Sequence, residues 1–182
     1  MLNTALYCII RYIPLVEGAT GNNGWGLDLL VIFGLVSIIV SSAFIIFQRD
    51  GKRLLAYHSV EHIGIITLGF GLGGLGIVAA LWHTLNHSVC KALSFFAMGR
   101  LGQAYGTHDL EKVGGAARRV PLWGYGFFIS ILILIGVAPF SIFMSEFMVL
   151  RASIDAKSYV ALGLFLLGTG VVFIAALKHA LD

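Results

Sequence analysis

The residues with the clearest chemical potential form a ladder of ionisable side chains inside an apolar segment. His83, His87 and Lys91 follow one another at intervals of four in the stretch WHTLNHSVCKALSFF. In a helix, all three would lie on one face and rise about 6 Å per step. Imidazole exchanges protons near neutral pH, and intervening waters could carry a proton between the groups. Ionisable groups are costly in such surroundings, so the pattern predicts a proton path along this face.

Two further sets of ionisable residues lie in neighbouring apolar segments. His58, Glu61 and His62 stand at spacings of three and four, which places them on one helix face close to a basic linker. Glu146 follows Pro139, which should break a long apolar run into two half-helices. Broken helices within a membrane line cavities and recur at ion sites. We therefore expect proton uptake near the first set and a further proton site at Glu146.

Structural roles would also account for these residues. The histidines would then bond to backbone carbonyls, Lys91 would neutralise a carboxylate, and residues 58–62 would form a polar cap near the interface. Histidines on adjacent helices also leave open one haem or one metal ion bound by a His pair, although a spacing of about 6 Å is too short for two stacked haems. Hydrolysis is not indicated, because neither Ser59 nor Ser145 has a visible base and orienting group.

The composition places these residues in a membrane. Hydrophobic residues make up 58% of the chain and charged residues 12%, with a mean hydropathy of +0.92, far from a soluble average. The net charge is +3, but no basic patch interleaved with aromatics indicates nucleic-acid binding. Cys8 and Cys90 lie in apolar runs, which predicts two reduced, buried thiols rather than a disulfide framework. Two cysteines are too few for a four-thiolate iron–sulfur cluster.

The hydropathy pattern predicts five spans after an N-terminal half-helix. Residues 1–16 form an apolar run that is closed by Pro14 and is unlike a signal peptide, because Arg11 interrupts it. A glycine-rich loop at 18–26 follows. We therefore expect a half-helix and loop over 1–26 and a five-helix transmembrane unit over 27–182. The predicted spans are 27–47, 54–70, 77–99, the broken 121–150, and 159–177, and the first of these has the length that about 30 Å of hydrocarbon requires.

The segment GLGGLG at 71–76 matches the letters of a dinucleotide-binding fingerprint. No strand precedes it, and the next acidic residue is Asp109, too far along the chain to bind a ribose. We therefore predict a tight turn between spans rather than a nucleotide site.

Alternation of the spans places the linker 48–53, the loop 100–120 and the C-terminus on one side of the membrane. Most basic residues fall on that side, which the positive-inside rule makes cytoplasmic. We therefore expect a protein of the cytoplasmic membrane of a prokaryote. The basic residues on this side are Arg49, Lys52, Arg53, Arg100, Lys112, Arg118, Arg119 and Lys178.

Five motifs carry a family resemblance in this order: YCIIRYIPLV, DGKRLLAYHSVEHIGII, LWHTLNHSVCKALSFF, YGTHDLEKVGGAARRVPLWG and GVAPFSIFMSEFMVL. They resemble the antiporter-like membrane subunits of group 4 hydrogenases, such as component F or B of hydrogenase-4 and formate hydrogenlyase. These are relatives of the proton-pumping subunits of complex I and of Mrp antiporters. Such subunits contain two inverted five-helix repeats, and the motifs correspond to the second repeat.

The resemblance implies roles for individual residues. Lys91 resembles the central proton-holding lysine, with His83 and His87 as its water-connected neighbours, and Glu146 resembles the terminal carboxylate. Asn3 stands where many relatives carry a lysine. Lys52 matches the basic residue that begins the second span, and the hydrogenase-type version of that span is matched by His58, Glu61 and His62.

Residues and resemblance together predict an all-α membrane subunit of an ion-translocating oxidoreductase complex of the hydrogenase or NADH dehydrogenase type. Protons would move through this chain while neighbouring subunits carry out the redox chemistry. We expect no cofactor and no metal in this chain, and partners that include other membrane and redox subunits and a separate chain supplying the first repeat. The alternatives are a truncated structural anchor that does not pump and a haem- or metal-binding redox subunit.

Overall fold

The computed structural model describes residues 2–21 and 24–181, and within these ranges the chain is α-helical without a β-sheet. The all-α prediction is therefore confirmed. Asn22 and Asn23, which belong to the predicted loop 18–26, lie outside the described residues. The helices are α1 (Leu2–Thr20), α2 (Trp25–Ile45), α3 (Gly51–Leu72), α4 (Leu75–Tyr105), α5 (Ala116–Arg119), α6 (Pro121–Leu134), α7 (Ser141–Asp155) and α8 (Tyr159–Leu181), with a 3₁₀ turn at Leu110–Lys112.

Within the described part of the chain, two helices are long and apolar enough to cross a membrane by length and composition alone. They are Trp25–Ile45 and Tyr159–His179. Both present large apolar side chains outward, such as Phe33 at 62% exposure and Ile174 at 72%. The helices α3 and α4 have 22 and 31 residues, enough for about 33 and 47 Å. Their polar residues lower their hydropathy.

The first helix is longer than the sequence predicts. It continues through Pro14 to Thr20, so the interpretation that Pro14 closes the apolar run is wrong. A proline removes one backbone donor and restricts the residue before it, but it does not prevent the helix from continuing on its C-terminal side. Glu17, near the end of α1, accepts bonds of 3.0 Å through Oε1 from the backbone N–H groups of Gly24 and Gly26. These bonds satisfy donors at the beginning of α2.

The helices α3 and α4 also extend beyond their predicted bounds. The carboxylate of Asp50 caps α3 by accepting a 2.9 Å bond from the N–H of Arg53, so half of the predicted linker 48–53 is helical. The helix α4 runs six residues past 99 and stops at Gly106, which has a left-handed φ of 71°. Part of the predicted loop 100–120 is therefore helix.

The glycine-rich segment at 71–76 is a tight turn, as predicted. The helix α3 ends at Leu72 and α4 begins at Leu75. Between them, Gly73 and Gly74 have φ values of 70° and 49°, which a residue with a β-carbon adopts only at a cost. The turn makes α3 and α4 antiparallel neighbours.

The break in the fourth predicted span is confirmed. The helix α6 ends at Leu134 and α7 begins at Ser141, so residues 135–140 interrupt the run around Pro139. Gly136 in this break has a φ of 70°. The last carbonyls of α6 accept bonds from the break itself, from the N–H of Gly136 to Ile133 at 3.1 Å and from the N–H of Val137 to Leu132 at 3.2 Å.

The helices α2 and α3 approach each other closely at two glycines. A β-carbon on Gly34 would lie 2.7 Å from the backbone nitrogen of Leu68. One on Gly64 would lie 2.8 Å from the carbonyl oxygen of Gly34. Small residues allow such backbone contact, which is a common way of packing helices in membranes.

The linker before α3 and the loop after α4 meet at one end of the bundle. The N–H of Gly51 donates to the carbonyl of His108 at 2.8 Å, and the N–H of Leu110 donates to the carbonyl of Arg49 at 2.9 Å. Arg49 also pairs with Glu111 at 3.4 Å. The segments 48–53 and 107–111 therefore lie on the same side, in agreement with the prediction from alternating spans.

Candidate functional site

The predicted site residues of α3 and α4 lie in one buried cluster. The clustered ionisable residues are His58, Glu61 and His62 on α3, and His83, His87 and Lys91 on α4, each at most 7% exposed. The other face of α4 is apolar and exposed, as Val89 and Phe96 show at 68% and 69%. Burial of one polar face against protein is what a membrane environment requires.

Apolar packing closes the cluster at both ends. One group of buried side chains contains Leu55 and Met98, and a second contains Ile65 and Ala79. Along α3, residues 58–62 lie between Leu55 and Ile65. Along α4, His83 and His87 lie between Ala79 and Met98. The ionisable groups therefore occupy a polar layer between two apolar layers, where their interactions with one another are strong.

A chain of hydrogen bonds links three helices through this layer. His62 Nδ1 lies 2.9 Å from His83 Nε2, and His83 Nδ1 lies 2.8 Å from the Oγ of Ser145 on α7. The Ser145 hydroxyl donates to the carbonyl of Ile142 at 2.7 Å. Since a hydroxyl has one hydrogen, Ser145 must accept from His83 Nδ1, and His83 Nε2 must accept from His62 Nδ1. The Nε2 atom of a neutral His62 then carries a lone pair.

The imidazole rings continue the connection to His58 and His87. Ring centroids are 5.0 Å apart for His62 and His87, and 6.0 Å apart for His58 and His62. Both nitrogens of His58 and both of His87 lack a hydrogen-bond partner among the described residues. Buried polar atoms normally have partners, so these nitrogens mark positions for protons, water or another ligand.

Glu61 lies beside two of the histidines. Its Oε2 is 3.4 Å from His58 Nδ1 and 4.0 Å from His62 Nε2. Neither contact is a hydrogen bond, so these three atoms have no hydrogen-bond partner among the described residues. The three groups form an acceptor-rich pocket at 58–62 within the polar layer.

Lys91 is held by a backbone carbonyl. Its Nζ donates to the oxygen of Leu55 at 2.8 Å, and no carboxylate of the described residues lies within ion-pair distance. The interpretation that Lys91 neutralises a carboxylate is therefore wrong for this structure. His62 and His83 likewise bond to each other and His83 to Ser145, rather than to backbone carbonyls.

Glu146 lies apart from the histidines, at the break between α6 and α7. A β-carbon on Gly136 would collide with its carboxylate, so the glycine provides the space that the carboxylate occupies. A cavity of about 280 Å³ contains Glu146, Gly136, Phe147 and Thr169 in its lining. Ser145, the residue before Glu146, is bonded to His83, so α7 connects this cavity to the polar layer.

A second cavity opens beside Lys91. It measures about 720 Å³, and its lining includes Asn3, Ser59, His87 and Lys91. Asn3 on α1 donates to the hydroxyl of Ser88 at 2.7 Å. Two ionisable groups of the polar layer therefore reach a space large enough for several waters.

Lys52 does not join the cluster. It lies exposed in the first turn of α3, six residues before His58 and thus about 9 Å away along the axis. It is placed at the end of the bundle where the basic segments meet.

Two partners were not identified from the sequence. The sequence around Ser145 shows only a serine without a base, although its position immediately before Glu146 on the broken helix is a signal for a role in the same site. The carbonyl of Leu55, which accepts from Lys91, has no sequence signal, because every residue has a carbonyl.

The distance between the rings of His62 and His83 argues against a haem bound between them. Two nitrogen ligands on opposite sides of one metal ion need a separation of about 4 Å. The ring nitrogens of His62 and His83 are 2.9 Å apart. No haem fits between these two rings in the arrangement observed.

Known proteins resemble the chain over most of its length. A hydrogenase-4 component F homolog from Methylacidiphilum infernorum is 38% identical over 154 residues, which are 84% of this chain and 32% of the relative. Formate hydrogenlyase subunit 3 of Escherichia coli is 31% identical over 140 residues, 70% of this chain and 23% of the relative. This chain therefore spans about a third or less of the length of these relatives.

A solved structure of similar fold belongs to the Mrp complex of Dietzia sp. DQ12-45-1b. It superimposes with a TM-score of 0.85 at 27% identity and covers 96% of this chain and 32% of that chain. Residues 1–172 match the family model described as NADH:quinone oxidoreductase/Mrp antiporter, TM. The chain is thus an integral membrane protein that belongs to the NADH:quinone oxidoreductase/Mrp antiporter transmembrane family.

Proposed function

We propose that the chain is a proton-conducting membrane subunit of an ion-translocating oxidoreductase complex of the hydrogenase or NADH dehydrogenase type. The observation that carries the proposal is the hydrogen-bonded connection from His62 through His83 to Ser145. It joins a buried set of ionisable residues to the broken helix that bears Glu146. A purely apolar packing function would not need such a connection.

Proton uptake is proposed at the end of the bundle where α3 begins. Lys52 and the basic segments at 48–53 and 107–111 lie at this end, which we assign to the cytoplasm of a prokaryote by the positive-inside rule. His58 and Glu61 are the first buried ionisable groups along α3 from there. Their unpartnered atoms can accept a proton that arrives by way of water.

The proton is then held along α4 and leaves past the broken helix. His83, His87 and Lys91 offer three successive acceptors, and the cavity of about 720 Å³ beside His87 and Lys91 can hold connecting waters. Ser145 links His83 to α7. The carboxylate of Glu146, in its own cavity of about 280 Å³, is the proposed last site before the far side.

The proposed membrane arrangement has five spans, formed by α2, α3, α4, the α6–α7 pair and α8, and α1 is associated with them. The relatives named above include hydrogenase and formate hydrogenlyase components. By analogy with them, the partners of this chain would be membrane and redox subunits and a separate chain that supplies the first five-helix repeat. Redox cofactors would lie in those partners, and this chain would carry out no redox chemistry itself.

A second candidate is a structural anchor that does not pump. The bond from Lys91 to the carbonyl of Leu55 favours it, because this bond ties α4 to α3 without any proton transfer. The bond between His62 and His83 would likewise hold helices together. An anchor would lose assembly when these bonds are removed, whereas a conducting subunit would lose proton transport in an assembled complex.

The test compares Lys91→Met with Lys112→Met in the complete complex reconstituted in liposomes. Methionine keeps most of the side-chain length but cannot carry a proton. Lys112 lies in the exposed 3₁₀ turn, where it pairs with Asp109 at 3.3 Å. We expect Lys91→Met to reduce proton transport by roughly tenfold or more with normal assembly, since a positioned proton carrier contributes at least this much. Undiminished proton transport by an assembled Lys91→Met complex would contradict the proposed path.

A further inference from the structure

We infer that His58, Glu61 and His62 form a binding site for one divalent transition-metal ion of the zinc class. One nitrogen of each histidine and one carboxylate oxygen lie within 4.8 Å of one another. All three side chains are buried, and none is more than 2% exposed. Two imidazoles and one carboxylate are a donor set that zinc commonly takes, with a fourth position left for water.

The unpartnered atoms of this pocket point to a cation. Neither nitrogen of His58, nor Glu61 Oε2, nor His62 Nε2 has a hydrogen-bond partner within the described residues. Ligand atoms around a tetrahedral zinc ion lie about 3.3 Å apart, for bonds of about 2.0 Å. The distance from His58 Nδ1 to Glu61 Oε2 is already 3.4 Å, and Glu61 Oε2 lies 4.0 Å from His62 Nε2. All three ligand atoms lie within 4.8 Å of one another, so side-chain rotations that move them by about 1.5 Å or less would complete the site.

The hydrogen bonds behind His62 prepare it as a ligand. Metal-binding histidines usually donate their second ring N–H to another acceptor, which fixes the tautomer. His62 donates through Nδ1 to His83, because Ser145 fixes the direction of that chain of bonds. Its Nε2 lone pair therefore faces Glu61, where the ion would bind.

Lys91 is the charged group that opposes the ion. Its ammonium binds the carbonyl of Leu55, one helical turn before His58. The rings of His83 and His87 also lie beside the pocket, centred 5.0 Å from the ring of His62. A positive charge on Lys91 repels a bound cation, and this repulsion is strong at low dielectric. We therefore expect Lys91→Met to bind the ion more tightly, by about tenfold or more.

Occupation of the site would block the proposed proton path, because the ion would take the positions at which protons are accepted. This consequence rests on the proposed function, whereas binding itself does not. The two are tested separately, by metal binding and by transport.

The binding test uses the complete complex in lipid nanodiscs with Zn²⁺ alone as the probe. We expect one tightly bound zinc that is lost in His58→Gln and in Glu61→Gln and retained in His108→Gln, a loop histidine outside the pocket. X-ray absorption at the zinc edge should show two imidazole nitrogens and one oxygen near about 2.0 Å. A zinc shell without two imidazoles would overturn the inference, and this spectrum of the unsubstituted protein decides the matter even if a variant fails to fold.

The transport test adds Zn²⁺ to proteoliposomes that contain the unsubstituted complex. Inhibition at the concentration that fills the site is the expected result. Zinc that binds without slowing transport would place the pocket outside the proton path and leave the metal site intact. Absence of specific zinc binding would remove the metal site and leave the proposed path untouched.

Discussion

His62 Nδ1 lies 2.9 Å from His83 Nε2, so a ring on α3 is bonded directly to a ring on α4. The Ser145 hydroxyl donates to the carbonyl of Ile142, so it must accept from His83. His62 is therefore the donor in the bond between the two rings. A serine on the broken helix thus controls which nitrogen of a neutral His62 carries the hydrogen. This relationship couples the two sets of ionisable residues in the proposed path.

Replacement of Ser145 should therefore uncouple them. In Ser145→Ala, His83 loses its acceptor and both rings are free to exchange tautomers, so we expect proton transport to fall severalfold while assembly is retained. Ser153→Ala is the matched control, because Ser153 is buried on the same helix and donates to the carbonyl of Val149 at 3.0 Å. Equal transport in the two variants, measured in proteoliposomes, would contradict a role for this serine.

Glu146→Gln should impair transport without loss of assembly. Glutamine nearly preserves the shape that fits against Gly136 but cannot accept and release a proton at physiological pH. We expect a reduction of tenfold or more, roughly the contribution of a positioned acid or base. Glu111→Gln, at an exposed carboxylate that pairs with Arg49, provides the control. Normal transport by an assembled Glu146→Gln complex would exclude this carboxylate from the path.

Gly64→Ala should destabilise the bundle. The added β-carbon would lie 2.8 Å from the carbonyl of Gly34, so α2 and α3 would have to separate, at a cost of about 1–3 kcal/mol. Gly99→Ala introduces the same methyl group on α4, where nothing lies within 4 Å. Thermal unfolding of the purified complex should show a lower midpoint for the first variant only. Equal midpoints would mean that the close approach at Gly64 carries little energy.

Asp50→Ala should weaken the beginning of α3. The carboxylate satisfies the N–H of Arg53, and loss of such a cap costs about 1 kcal/mol. We expect faster hydrogen exchange at this end of α3, measured by mass spectrometry. Asp50→Asn, which keeps an acceptor oxygen, should exchange almost as slowly as the unsubstituted protein. Similar acceleration in both variants would indicate that charge, rather than capping, stabilises this end.

Much of the architecture follows from sequence, because its causes are local. Pro139 predicts the break before α7, and the spacing of His83, His87 and Lys91 predicts one shared face. The helix bounds are less predictable. The sequence suggests an end at Pro14, yet the backbone bonds beyond it continue to Thr20.

The partners within the site were harder to predict, since they come from helices distant in sequence. The bond between His83 and Ser145 joins residues 62 positions apart, and Lys91 reaches a carbonyl 36 positions away. Spacing along one helix identifies which side chains face inward. It does not specify which group on another helix will meet them, and for that reason a carboxylate was expected opposite Lys91 where a backbone oxygen is found.

The pairing of the linker before α3 with the loop after α4 has a mechanical consequence. The turn at Gly73 and Gly74 joins the two helices at one end, and the bonds from Gly51 to His108 and from Leu110 to Arg49 fasten them at the other. The helices α3 and α4 are thus connected at both ends, which restrains them from sliding past each other. A change in the contact between His83 and Ser145 would then require movement of α7, which residues 135–140 separate from α6.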